Sequence, residues 1–252
     1  MNRRTFLASL IAIPASASFA EDSVKASPKK GWAGGSRELH RKFRVSWFYD
    51  WTANSSTGEG VEYVPMVKGT WAMKPPYSDK FNTLANIHAV LGFNEPERKS
   101  QGSVTVDDAI TAWPKLMELA KSKGLRLGCP APSSDGGGMR WLAEFMQKAK
   151  KAKLTMDFVA LHWYRSRDVG DFSRWLGEMH RAYRLPLWIT EFNGWAGTQQ
   201  ENEVFLRGAL KALERESYVE RYAYFNTGPQ SPLSLLRADG SFTEMGERYA
   251  AT

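Results

Sequence analysis

The hydrophobic positions of this chain alternate between two periods. Short, nearly continuous apolar runs rich in β-branched and aromatic residues recur at 43–48, 62–67, 88–93, 125–130, 157–163, 185–191 and 221–225. Runs of this length without polar alternation are those of strands buried on both faces, as in a parallel sheet. A shorter run at 30–33 is an eighth candidate. Between the later runs the apolar residues adopt a helical period. Over 107–123 they are Ile110, Trp113, Leu116, Met117 and Ala120, with Thr105 as the expected N-cap, Gly124 just past the end and Pro114 expected to kink the helix. The stretches 139–151, 171–183 and 201–214 follow the same spacing. Strand and helix in alternation predict an α/β fold, a single (β/α)8 TIM barrel over 30–252, with connections in the first half too short for full outer helices.

Two of the apolar runs end in a glutamate: Leu91-Gly92-Phe93-Asn94-Glu95-Pro96 and Leu187-Trp188-Ile189-Thr190-Glu191-Phe192-Asn193. The glutamates are 96 residues apart, three units of 32, close to the ~31 residues per unit of a typical eight-unit barrel. Counted from Lys30 they end strands four and seven, which face each other across the mouth of an eight-strand ring. A doubly wound open sheet would need a phosphate-binding loop after its first strand. The glycine-rich Gly31-Trp32-Ala33-Gly34-Gly35 lacks that pattern.

The N-terminus reads as an address. Asn2-Arg3-Arg4-Thr5-Phe6-Leu7 is a twin-arginine pattern, followed by an apolar stretch too short to span a bilayer and by small-residue cleavage sites at 15–20. Residues 1–20 are therefore expected to be a signal peptide, 21–29 a disordered linker, and the mature protein to be exported, periplasmic or secreted. The formal charge of +7 loses Arg3 and Arg4 with the leader. The remaining mild excess, densest at Lys148, Lys150, Lys151 and Lys153, reads as a solvated helix end, and no nucleic-acid motif accompanies it. No nucleic-acid partner, no membrane association after leader removal and a monomer are expected. Cys129 is the sole cysteine, so no internal disulfide forms and stability rests on packing. The four histidines lack metal-ligand spacing, and neither a metal nor another cofactor is expected.

A carboxylate at the end of a buried strand is costly to desolvate and needs a role. Two of them can divide the work of glycosidic cleavage. One gives a proton to the leaving oxygen, and the other, ionised, attacks the anomeric carbon. Asn94, just before Glu95, suits a hydrogen bond to the 2-hydroxyl of the attacked sugar. His162 or Tyr164, ending the preceding strand, could orient Glu191. Sugars present flat C–H faces on which aromatic rings stack. The aromatics near strand ends are Trp47, Tyr49, Trp51, Trp71, Trp163, Trp195 and Phe225. Tyr49, Trp51, Trp163, Tyr164 and Phe225 are taken as substrate contacts, and Trp113, Trp141, Trp175 and Trp188 as core.

An ordered set of segments carries a resemblance. It runs from Lys30-Gly31-Trp32-Ala33 through Ser46-Trp47-Phe48-Tyr49-Asp50-Trp51, Tyr63-Val64-Pro65-Met66, Leu91 to Glu97, Gly128-Cys129-Pro130-Ala131 and Asp157 to Tyr164. It ends with Leu187 to Phe192 and the closing Asp239-Gly240-Ser241-Phe242-Thr243. Together these resemble glycoside hydrolase family 128, in the large clan of (β/α)8 retaining glycosidases, from about Lys30 to the C-terminus. The resemblance implies an endo-β-1,3-glucanase acting on β-1,3-glucan or its oligosaccharides with retention. It makes Glu95 the general acid/base and Glu191 the nucleophile. Departures stand at Lys68, where many relatives have an aromatic, and at Trp32 and Gly34, and bear on the sugar subsites. Two other readings remain: a clan relative acting on another β-glycan, and a β-glucan-binding protein without turnover.

Overall fold

The computed structural model describes residues 26–58 and 60–252. The twin-arginine pattern and most of the expected linker lie outside them. The elements in chain order are β1 (Lys30–Ala33), α1 (Arg37–Lys42), β2 (Trp47–Tyr49), β3 (Glu62–Tyr63), two 3-10 turns (Thr70–Met73 and Ser78–Asn82) and β4 (Ala89–Val90). There follow α2 (Val106–Lys123), β5 (Arg126–Leu127), α3 (Gly136–Lys151), β6 (Val159–Trp163) and α4 (Val169–Tyr183). The chain closes with β7 (Leu187–Phe192), α5 (Gln199–Arg215), β8 (Val219–Tyr224) and α6 (Glu244–Ala251). All eight expected strands are present, and the first half is short of helices as anticipated: none lies between β2 and β3, and only 3-10 turns separate β3 from β4.

Six strands pair in the order β3-β2-β1-β8-β7-β6, and β4 pairs with β5, all in parallel. Parallel bridges Met66–Leu91 and Gly128–Phe158 join the two groups at both edges, so the ring closes. The ladder strands are shorter than the apolar runs. Pro65 and Pro130 carry no backbone N–H, and the regular ladder stops before them.

Alternation along the strands separates an inner layer from an outer one. Inside the ring lie Trp47, Tyr49, Val64, Met66, Leu91, Phe158 and Trp188 with the small Ala89, Ala160 and Ala223. Large rings fill the space left by small residues. Phe158 stacks on Trp188 at 3.8 Å, and a Cβ on Gly31 would sit 2.2 Å from the Trp47 ring. At the N-terminal end of the ring Arg221 lies 4.3 Å from the Trp188 centroid and pairs with Glu62, while Arg126 pairs with Glu220. These cations close the base over aromatic faces. The outer faces pack against the helices in two apolar clusters, where Trp113, Trp141 and Trp175 are buried, as is Trp188 inside the ring.

Helix ends follow their local chemistry. Thr105 caps α2 through its hydroxyl, and Gly124 takes the left-handed conformation past its end; α2 runs through Pro114 as one helix. Asp135 and Asp168 cap α3 and α4, and Thr198 with Glu201 forms a capping box on α5. Helix α6 was not anticipated; its Met245 and Tyr249 pack into the outer cluster. The described part of the segment read as a disordered linker is anchored. Lys29 Nζ donates to the carbonyls of Leu213, Glu214 and Glu216 at the end of α5, and Ser27 N donates to Thr252 O. Lys30 Nζ does the same for Tyr249 and Ala250 at the end of α6. A cation satisfies carbonyls that have no partner within the helix, so the linker reading fails from residue 26 onward. No helix of the described residues is long and apolar enough to cross a membrane.

Candidate active site

The C-terminal ends of the strands open into a cleft of about 1180 Å3. Glu95, following β4, and Glu191, within β7, both line it. Each reaches the same imidazole: His162 Nδ1 lies 3.4 Å from Glu95 Oε1 and Nε2 lies 3.4 Å from Glu191 Oε1. His162 is fully buried, so one ring spans the gap between the two carboxylates.

Local backbone departures aim both acids. Glu95 has φ 37° and its N–H donates to Ala131 O at 2.7 Å. A non-glycine residue in the left-handed region is strained by about 1–3 kcal/mol and is held there only by its surroundings; here Pro96 follows and Asn94 bridges to Ala131. In β7, Trp188 faces the interior and Ile189 faces out, so strict alternation would send Glu191 out and Phe192 in. Phe192 instead sits in the outer cluster, because the pairing of β7 with β8 shifts register between Ile189 and Phe192. This bulge turns Glu191 into the cleft.

Glu191 is held by three donors. Tyr49 Oη donates to Oε1 at 2.8 Å, Trp51 Nε1 to Oε1 at 2.9 Å, and Tyr164 Oη to Oε2 at 2.6 Å. Charge-assisted bonds of this kind suit an ionised carboxylate, which only accepts. Burial, and then the charge of Glu191, push both phenols well above their ordinary range, so they remain donors. Burial works against a charged His162, but the charges of Glu191 and Glu95 outweigh it and raise the imidazole above its ordinary value. For Glu95, burial acts upward, while the contact with His162 and the charge of Arg98 win and hold the carboxyl below its usual value. Both directions favour a proton on the imidazole over one on Glu95.

The remaining expected residues separate into three groups. Asn94, Trp51, Tyr164 and Phe225 line the cleft. Asn94 is buried, its Nδ2 is 3.5 Å from Gln101 Oε1, and its Oδ1 has no partner among the described residues. Phe225 packs edge-on against Trp51 at 6.0 Å and Tyr164 at 5.9 Å. Tyr49, expected to contact substrate, and His162, expected to orient Glu191, both lie beneath the carboxylates, buried and in contact with them. Trp163, likewise expected to contact substrate, is on the wrong face. His162 points into the ring, so its neighbour points out, where Trp163 packs on Phe172 and Trp175 and donates to Ser166 O. Trp47 is also inside, stacked above the base.

Several lining residues were not put forward. Arg98 lies 3.9 Å from Glu95 Oε2 and 3.7 Å from Glu97 Oε1, and pairs with Asp135. Asn193 accepts from Trp195 N at 2.8 Å and donates to Phe225 O. That bond seats Trp195, 64% exposed, 6.0 Å from Tyr164. Their signal was position: each follows the C-terminal end of a barrel strand, where such sites form. Among the described residues no cluster of three or more His, Cys, Asp or Glu is placed to hold a metal ion.

Comparison with known proteins agrees with this geometry. Residues 28–249 match the family described as glycosyl hydrolase catalytic core. No curated protein matches the chain. Among solved structures it is similar to a family 128 subgroup I endo-β-1,3-glucanase from Amycolatopsis mediterranei in complex with laminaritriose, with 28% identity, TM-score 0.76, and 89% of this chain and 99% of that one covered. It is similar also to a subgroup III curdlan-specific exo-β-1,3-glucanase from Blastomyces gilchristii in complex with glucose (29% identity, TM-score 0.75, covering 89% and 98%). A third is a subgroup II endo-β-1,3-glucanase from Sorangium cellulosum (29% identity, TM-score 0.73, covering 88% and 97%). With two carboxylates at the mouth of a closed parallel barrel, and a match along nearly its whole described length, the chain belongs to the glycosyl hydrolase catalytic core family and, within it, to glycoside hydrolase family 128.

Proposed function

We propose that the protein is a retaining endo-β-1,3-glucanase that cleaves internal bonds of β-1,3-glucan by double displacement. The observation that carries this reading is the unequal environment of two carboxylates sharing one imidazole. Glu191 is fixed by three donors on its two oxygens, as a nucleophile must be. Glu95 is 3.4 Å from the Nδ1 of a ring whose proton affinity is raised, a source for its proton. Relatives crystallised with laminari-oligosaccharides support the substrate class. For endo action, the support is an open cleft lined, besides the carboxylates, by residues from the segments after several strands, Gln101 and Met139 as well as Trp195 and Leu233.

In the first step Glu95 protonates the glycosidic oxygen while a Glu191 oxygen attacks the anomeric carbon; the C–O bond to the leaving sugar breaks and a glycosyl ester forms. In the second, Glu95 takes a proton from water, whose oxygen displaces Glu191. Before the first step the proton on His162 Nδ1 must pass to Glu95 Oε1. A bound sugar drives this transfer. It covers the exposed part of Glu95, removes water, and so favours the neutral carboxyl. Asn94, with its free Oδ1, accepts from the 2-hydroxyl as the oxocarbenium character develops. Trp51, Phe225, Tyr164 and Trp195 offer rings to the sugar faces.

The test is digestion of laminarin followed over time by chromatography and by proton NMR of the new anomeric centre. Mixed oligosaccharides early and a β-anomer formed first are expected. Glucose alone would make the enzyme exo-acting, an α-anomer first would make it inverting, and no product would remove the hydrolase reading. Export by the twin-arginine route and a monomeric state are part of the same proposal. Cell fractionation with both Arg3 and Arg4 replaced by Lys, and size-exclusion chromatography, test them.

A further inference from the structure

We infer that the rim after β3 carries a further glucan-binding subsite, an aromatic platform of Trp71 and Tyr77 reached past Lys68, which holds a glucosyl unit of a long chain outside the catalytic cleft. The inference rests on the glucanase reading and extends it to chain length.

The platform lies in the 3-10 segment between β3 and β4. Trp71 is 43% exposed and Tyr77 45% exposed, two large rings packed edge to face. Their centroids are 4.9 Å apart at 79°. Leaving this much aromatic surface in water is unfavourable unless something covers it. The segment that carries them is not loose. Ala72 and Phe81, one next to Trp71 and the other four residues past Tyr77, are buried in the outer cluster with Val67, Val90 and Trp113. Gly69 lets the turn lie against the loop behind Glu95, since a Cβ there would be 2.6 Å from Gly102 O and 2.7 Å from the Trp71 indole nitrogen. The rings are therefore held in place before any ligand arrives, which lowers the ordering cost of binding.

The platform is continuous with the active site. A small pocket of about 40 Å3 is lined by Trp71, Tyr77 and Lys80 together with Trp51 and Lys68, and those last two also line the catalytic cleft. Lys68 is half-buried, and its ammonium makes no hydrogen bond or ion pair among the described residues. A half-buried cation without a partner is a donor awaiting acceptors, and the hydroxyl and ring oxygens of a sugar passing between the pocket and the cleft supply them. Lys80 Nζ stands 5.4 Å over the Tyr77 ring and lines the same pocket, a second donor beside the rings. Ring topology sets the direction. In the strand order of the barrel β3 stands four places from β7, after which Trp195 follows, so the platform and Trp195 belong to opposite parts of the rim. A chain lying between them would be gripped on both sides of the bond to be cut.

The experiment compares kcat/KM on laminarin and on laminaritriose for wild type, Trp71→Ala, Tyr77→Ala, Trp71→Phe and Lys68→Met, with thermal unfolding of each. Trp71→Ala and Tyr77→Ala are expected to lose about fivefold to tenfold on laminarin through KM, with kcat kept and less than twofold change on the trisaccharide. Trp71→Phe should recover most of the loss, and Lys68→Met should lower kcat/KM on laminarin at least threefold. Equal losses on both substrates, or no loss on laminarin in variants of unchanged Tm, would overturn the subsite and leave the glucanase reading standing. Failure of the wild type to cut either substrate would instead remove the glucanase reading itself.

Discussion

Replacing Glu191 by Gln keeps the shape of the side chain and removes its charge, and two consequences follow from the same geometry. The first is chemical. A carboxamide does not form the glycosyl ester, so turnover on laminarin should fall on the order of 10^4-fold or more, roughly 5 kcal/mol of barrier. The second is electrostatic. His162 Nε2 is 3.4 Å from Glu191 Oε1, and a unit charge at that distance from an imidazolium is worth roughly 5 kcal/mol at an effective dielectric of about 20. Burial opposes the charge on His162, and Glu191 is the largest influence raising its affinity for a proton above the ordinary 6.5. A raised folded-state value stabilises the fold fully below 6.5, and this stabilisation is lost as pH rises through the folded value. Glu95 acts in the opposite sense: held below its ordinary 4.5, it stabilises above that value and loses the contribution as pH falls. The wild type should therefore be most stable between the two and decline on the alkaline side. In Glu191→Gln that alkaline decline should shrink. The assay is Tm from calorimetry between pH 5 and about 9, beside reducing-sugar release from laminarin. A variant that kept turnover within tenfold of wild type, or kept the same alkaline slope, would refute the reasoning.

Glu95→Gln should lower laminarin hydrolysis by about 10^2- to 10^4-fold while sparing the first step on an aryl β-glucoside with a good leaving group; equal loss on both, in steady-state and burst assays, would deny Glu95 its acid role. Trp163→Ala should destabilise by about 3–5 kcal/mol in urea unfolding with KM unchanged, because the ring packs on Phe172 and Trp175; a raised KM at unchanged stability would return it to the substrate site. Cys129, whose thiol burial pushes up to about 12, should resist a thiol reagent until the protein unfolds, and prompt labelling of native protein would contradict its burial. Lys30 is held down to about 8 by burial and by the charge of Arg44. Its unfolded form keeps the proton to higher pH, so the contribution of Lys30 should rise between about 8 and 10 and offset part of the decline that comes from His162. Lys30→Met should flatten that rise, and an unchanged slope would count against the assignment.

Much of the site was legible before folding because strand-end chemistry is local. A glutamate that closes an apolar run is conspicuous at Glu95 and at Glu191, and their separation of 96 residues carries the unit length of a barrel. The strand end alone was too coarse a guide to tell Trp163 from His162, whose side chains leave β6 on opposite faces. The linker reading stopped short for a different reason. Polar composition at 26–29 does not reveal that the carbonyl ends of α5 and α6 lie near enough to bind Lys29 and Lys30.

By itself the sequence determined the number and order of the strands, the sparse helices of the first half, the caps of α2 and the place of two glutamates at strand ends. Each depends on residues within one turn or one strand. Only the tertiary structure decided what those acids touch. The register shift that turns Glu191 inward, the left-handed backbone at Glu95, and the buried imidazole between them all arise where strands far apart in the chain are forced to share one ring. Pairing register and proton affinity are properties of neighbours across the barrel, and no single segment contains them.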